Sequence, residues 1–331
     1  MNKQWMAYFL LAFAISGPAR AHEDAPISEI IVFGDSLSDV GNLSLASGGA
    51  YAPPPYFAGR ASNGPLWVER LATHLDVLRV TPALLGGTDQ AWAGGETGDG
   101  VSDSGTPNLG LQVEMFLATR GLSGAELVVI WAGANDVFEF SNEPEVAAAN
   151  IVDNIVTLSL AGGRRYLVLD LDGIERTPAI RGTAAEFPTR VWVDDFRHAL
   201  ARELEGLEKE LEDGLSGDFE VMEFEVGKLF VDIIDRPRHY GMSNSRDPAC
   251  PGCNTGLADP DAARTVVRDP DQHVFWDFVH PTRVVHDIIG EQAADVVRAE
   301  FGDDDDNDDD SDSDDDSDDD SDSDSDDDSD D

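Results

Sequence analysis

The chain has 331 residues, with 67 acidic against 22 basic side chains and a formal net charge of −45. A surface this acidic repels nucleic acid and gains nothing from anionic lipid headgroups, so neither is expected as a partner. The length suits one large domain with a full hydrophobic core.

In chain order, Lys3 precedes an apolar run from Met6 to Ile15, and Ala19-Arg20-Ala21 has the small-x-small form of a signal-peptidase site. The run is shorter than the roughly 20 residues that span a bilayer. Residues 1–21 therefore read as a signal peptide cleaved near Ala21, which makes the mature protein secreted or periplasmic, without a transmembrane anchor. Residues 22–302 read as the globular domain. Strands are expected at Glu29–Phe33, Leu75–Val80, Glu126–Trp131, Arg165–Leu171 and Phe219–Val226, several of them almost continuously apolar. Helical patterns lie between and after them, roughly at 64–74, 108–120, 143–161, 189–213 and 282–300. This alternation predicts an α/β fold, a three-layer α/β/α sandwich with a mostly parallel central sheet. Residues 41–63, with "YAPPPYFAGR", and residues 236–275 are long irregular excursions, a length that in a compact domain points to function or local ordering. Residues 303–331 hold 21 Asp, 7 Ser and one Asn, and are expected to be a disordered acidic tail. Without Gly or Glu that tail cannot form an EF-hand loop, so its expected cation binding is weak and diffuse.

The two cysteines, Cys250 and Cys253, form a CxxC pair. Such a pair serves redox chemistry, half a zinc site or a small disulfide loop. No second CxxC or nearby His pair completes a zinc site, and export favours the Cys250–Cys253 disulfide.

The chemistry concentrates where apolar strands end. "IIVFGDSLSDVGN" (residues 30–42) runs from a buried strand into a turn carrying Ser36, where backbone N–H groups at a helix start favour negative charge. Ser36 reads either as a nucleophile or as a helix cap. Asp35, Asp39 and Asn42 read as groups that hold the turn. "VVIWAGANDVF" places Asn135 just past another strand, as an amide donor to an oxyanion or as an Asx turn. "AWAGGETG" puts Gly94 and Gly95 in a tight turn whose bare backbone can approach a ligand. In "WDFVHPT", Asp277 lies three residues before His280, a spacing that lets a carboxylate fix an imidazole as a proton acceptor. Neither HExxH nor a His/Asp ligand cluster is present, so no metal or cofactor is expected. The G-x-S-x-G pentapeptide of α/β-hydrolases is also missing.

These four segments, in this order, resemble the blocks of the GDSL, or SGNH, hydrolase family. "FGDSLSDVGN" resembles the nucleophile block, "AGGETG" the glycine block, "GAND" the asparagine block and "DFVHPT" the Asp-x-x-His block. The resemblance implies Ser36 as nucleophile, His280 as general base and then acid, and Asp277 as its orienting partner. It also implies an oxyanion hole made of the Ser36 and Gly95 backbone N–H groups and the Asn135 side chain. The long form with a leader and a late Cys-containing loop is similar to the secreted lecithinase, haemolysin and lipase-like esterases. That similarity implies fatty-acyl ester substrates, phospholipids among them, with acyl transfer to another alcohol in some members. Two alternatives stand beside this reading: a carbohydrate acetyl esterase of the same fold, and a non-enzymatic secreted cation-binding protein working through its tail.

Overall fold

A computed structural model describes residues 26–214, 219–253 and 265–301. The leader and acidic tail of the sequence reading lie outside the described residues. Four strands, β1 (Ile30–Gly34), β2 (Leu127–Trp131), β3 (Arg165–Leu169) and β4 (Glu220–Phe224), form one parallel sheet in the order β1-β2-β3-β4. Ile30 pairs with Leu127, Leu127 with Arg165, and Arg165 with Glu220, so the strands keep a common register. Every residue of β1, β2 and β3 is buried, which requires cover on both faces and explains their unbroken apolar runs.

Helices supply that cover. On one set, α3 (Leu109–Leu117) packs on β1 and on α5 (Pro144–Leu160), and α5 packs on α6 (Glu186–Gly214). In the other, α2 (Trp67–His74) packs on α8 (Arg283–Phe301), which also meets β4. The architecture is the expected α/β sandwich, and its sheet is wholly parallel. Three further helices, α1 (Asn42–Ala46), α4 (Ala134–Glu139) and α7 (Val226–Asp235), follow the carboxyl ends of β1, β2 and β4.

One expected strand is absent. Leu75–Val80 is the exit from α2: Asp76 adopts φ 52°, and the Val77 N–H bonds back to the Ala72 carbonyl at 3.0 Å, a Schellman-type closure. Leu78 is 75% exposed, so the local apolar run is not a sheet face. The free edge of β1 is instead bonded by residues 88–92. Val32 donates to Thr88 O (3.1 Å), Gln90 to Val32 O (2.7 Å) and Trp92 to Gly34 O (3.1 Å). This pairing brings the glycine turn alongside the end of β1.

The two irregular excursions meet in a small second core. It holds Ala52, Tyr56, Ala249, Trp276 and the disulfide-bonded Cys250 and Cys253, whose sulfurs are 2.04 Å apart. Backbone bonds from Ala249 to Phe275 O (2.9 Å) and from Cys250 to Trp276 O (2.8 Å) tie the cysteine loop to the residues just before Asp277. Among the described residues, no helix is long and apolar enough to cross a membrane.

Candidate active site

Because the strands are parallel, their carboxyl ends lie along one edge, where open α/β sheets bind ligands. Gly34 ends β1 with φ +147°, and a Cβ there would sit 2.2 Å from the Trp131 carbonyl oxygen. Only glycine lets the chain leave the sheet so close to β2. The next residues, 35–42, are all buried except Ser36.

The carboxyls of this turn reach further than local turn formation. Asp39 accepts the Gly41 N–H (2.8 Å) and Leu43 N–H (3.1 Å), and also the Ala93 N–H from the glycine turn (2.9 Å). Asn42 donates to the carbonyls of Asp89 and Ala91, both at 2.9 Å. Asp89 in turn accepts the Val40 N–H (2.6 Å) and Ala91 N–H (2.9 Å). Asp35 accepts the Leu37 N–H at 2.9 Å; burial pushes its carboxyl up to about 7, and its other oxygen has no partner among the described residues.

Ser36 and His280 meet across 244 residues of sequence. The His280 Nε2 lies 2.9 Å from Ser36 Oγ, and its Nδ1 lies 2.9 and 3.0 Å from the two oxygens of Asp277. With Nδ1–H donated to the carboxylate, Nε2 is left to accept the serine proton. Burial by itself raises Asp277, but the neighbouring His280, the His280 N–H and the Tyr56 hydroxyl together hold it below the usual carboxylate range. Burial lowers His280, and the Asp277 charge overcomes that, leaving the imidazole above its ordinary value. His286, also buried, is pushed down to about 3 by burial and accepts the Trp67 N–H at 3.3 Å, which marks it as a neutral structural histidine.

The three residues expected to form the oxyanion hole have different surroundings. The Asn135 side-chain amide, at the start of α4, donates to the Gly95 carbonyl at 2.8 Å and lines the cavity beside Ser36. The Gly95 N–H donates to the Trp92 carbonyl at 2.9 Å, closing a tight turn, and Gly95 is not part of the cavity wall. Gly94 is part of that wall, with φ +82°. Among the described residues, neither the Gly94 nor the Ser36 N–H has a protein acceptor. Sequence reasoning also missed Asp136, which accepts the Thr97 N–H (3.0 Å) and hydroxyl (2.6 Å) and so locks the glycine turn to α4.

The cavity holds about 670 Å³. Ser36, Gly94, Asn135 and His280 stand on its wall, and Trp131, Phe138, Leu171, Ile174 and Phe230 make another part of it apolar. The loop "YAPPPYFAGR" divides its aromatics: Tyr51 lines this cavity, Tyr56 is buried against Asp277, and Phe57 is 41% exposed. No group of three or more His, Cys, Asp or Glu side chains able to hold a metal ion occurs among the described residues.

Residues 30–293 match the GDSL-like lipase/acylhydrolase family. The chain is 27% identical to the phosphatidylcholine-sterol acyltransferase of Aeromonas hydrophila, covering 90% of this chain and 98% of that one. It is 23% identical to the thermolabile hemolysin of Vibrio parahaemolyticus, covering 80% of this chain and 63% of that protein. Among solved structures, the inhibitor-bound aryl esterase of M. smegmatis superposes with a TM-score of 0.45 at 16% identity, covering 82% of this chain and 99% of the other.

Proposed function

Because the chain belongs to the GDSL-like lipase/acylhydrolase family, whose chemistry is ester hydrolysis or acyl transfer, we propose that it is an exported enzyme cleaving fatty-acyl esters, phospholipids among them. In this reading Ser36 is the nucleophile, His280 the general base and then acid, and Asp277 its orienting partner. His280 Nε2 takes the Ser36 proton as Oγ attacks the ester carbonyl. The oxyanion of the tetrahedral intermediate forms against the Ser36 N–H and the Asn135 amide, with Gly94 N–H the free donor of the glycine turn. His280 then returns the proton to the departing alcohol, and the acyl group stays on Ser36. Water releases it by the same route, and a second alcohol taking the place of water makes the reaction an acyl transfer.

The observation that carries the substrate class is the apolar wall beside the reacting serine. A cavity of about 670 Å³ lies within the ~300–1,000 Å³ range of sites that enclose whole ligands, far more than an acetyl group fills. Each methylene buried there is worth about 0.8 kcal/mol, close to fourfold in kcat/KM. A series of p-nitrophenyl esters is therefore expected to show kcat/KM rising at least about tenfold from acetate to octanoate, with phosphatidylcholine also cleaved. A preference for acetate with no hydrolysis of longer chains contradicts the fatty-acyl reading and favours a carbohydrate acetyl esterase.

A further inference from the structure

Asp277 must stay ionised while almost fully withdrawn from water, at 3% exposure. Its two oxygens are served unequally. Oδ1 accepts the Val279 N–H (2.8 Å) and His280 N–H (2.7 Å), as well as facing the imidazole. Oδ2 faces the imidazole and receives one further donor, the Tyr56 hydroxyl at 2.7 Å, the length of a charge-assisted O–H···O bond.

Tyr56 comes from 221 residues upstream, out of the Pro-rich loop, and is itself held. Its ring is 4% exposed and stands edge-on to Trp276, centroids 6.1 Å apart at 79°. The same small core contains the Cys250–Cys253 disulfide. Tyr56 does not line the cavity, and its hydroxyl reaches the reacting groups through Asp277.

We propose that Tyr56 is a positioning residue of the esterase reaction, its hydroxyl fixing the Asp277 carboxylate against His280 and favouring the state in which His280 is a free base. The proposal rests on the Ser36–His280–Asp277 reading. The Tyr56 bond is strongest when the Asp277–His280 pair carries its full negative charge, which is the state with neutral imidazole that can accept the serine proton. Removing the bond destabilises that state most, so the pair holds its proton to higher pH. Asp35 also acts on the His280 charge, and His286, which His280 influences in turn, is held neutral by burial. Both stay unchanged when Tyr56 is replaced.

The test is Tyr56→Phe, which keeps the ring and its packing on Trp276 and removes only the hydroxyl. The variant is expected to lose about ten- to a hundredfold in kcat, with KM little changed. The acid limb of its pH profile moves upward by roughly half a unit. Incorporating 3-fluorotyrosine at position 56, a stronger donor of nearly the same shape, is expected to move the limb the other way. Unchanged kcat, or a loss of kcat with the acid limb in place in both variants, overturns the proposal. Ser36→Ala is measured alongside: if it stays active, the triad reading fails, and if it is inactive while Tyr56→Phe behaves as wild type, only the Tyr56 role fails.

Discussion

Ser36→Ala lowers kcat for ester hydrolysis by about 10⁵–10⁶-fold, while the protein stays folded with its melting temperature nearly unchanged. The size follows from the proposed mechanism, in which a triad works as a unit: removing the nucleophile forfeits the covalent route and leaves only binding and oxyanion stabilisation over the water reaction. The stability part follows from the site. Ser36 is the one residue between 30 and 42 that is not buried, and its side chain contacts His280 through a single 2.9 Å hydrogen bond. The turn is held by its neighbours, with Asp39 bonded to Ala93 and Asn42 to Asp89 and Ala91, so deleting one half-buried hydroxyl disturbs none of those bonds. Steady-state kinetics and a thermal melt of the variant check both halves. Retained activity, or loss of activity through unfolding, contradicts the prediction.

Asn135→Ala lowers kcat by about 10²–10³-fold with KM changed little, because an oxyanion donor acts on charge that develops only in the transition state. Alanine is the cleaner replacement here. Aspartate would add a charge beside the buried Asp136, whereas alanine removes only the donor and its bond to the Gly95 carbonyl. Asp136 still holds the glycine turn through Thr97 in the variant, so the loss reports on the amide rather than on collapse of the wall. A drop of less than tenfold would place the oxyanion elsewhere.

The features that were legible in the sequence are those with local signatures. The β1, β2 and β3 runs were readable because burial on both faces demands apolar residues, β4 because apolar residues still dominate around its two glutamates, and α5 and α6 because their length gives the helical period room to repeat. Ser36, Asn135, Asp277 and His280 were readable because each lies in a short motif at a strand or helix boundary. Leu75–Val80 failed because an apolar helix exit and an apolar strand look alike over six residues; the signal against a strand is conformational, at Asp76. The segment that does bond to β1, 88–92, carries polar Thr88, Asp89 and Gln90 and has no strand pattern of its own. The choice between Gly94 and Gly95 meets a related limit. Two adjacent glycines are equivalent in sequence, and only the turn geometry shows which N–H the turn consumes in its bond to Trp92. Tyr56 lay beyond reach altogether, since nothing in a Pro-rich loop announces a bond to a carboxylate 221 residues away. Buried Asp89 and Asp136 act in the same long-range way, joining motifs that the sequence shows only as separate blocks.

The most direct measurement is covalent trapping. An alkyl fluorophosphonate reacts with an activated serine by Oγ attack at phosphorus and loss of fluoride, leaving a stable phosphonyl ester whose position is read by peptide mass spectrometry. Stoichiometric modification of Ser36 is expected in the wild-type protein, with concurrent loss of esterase activity, and no adduct in His280→Ala. Full inactivation with the adduct on another serine, or an active enzyme that leaves Ser36 unmodified, would contradict it.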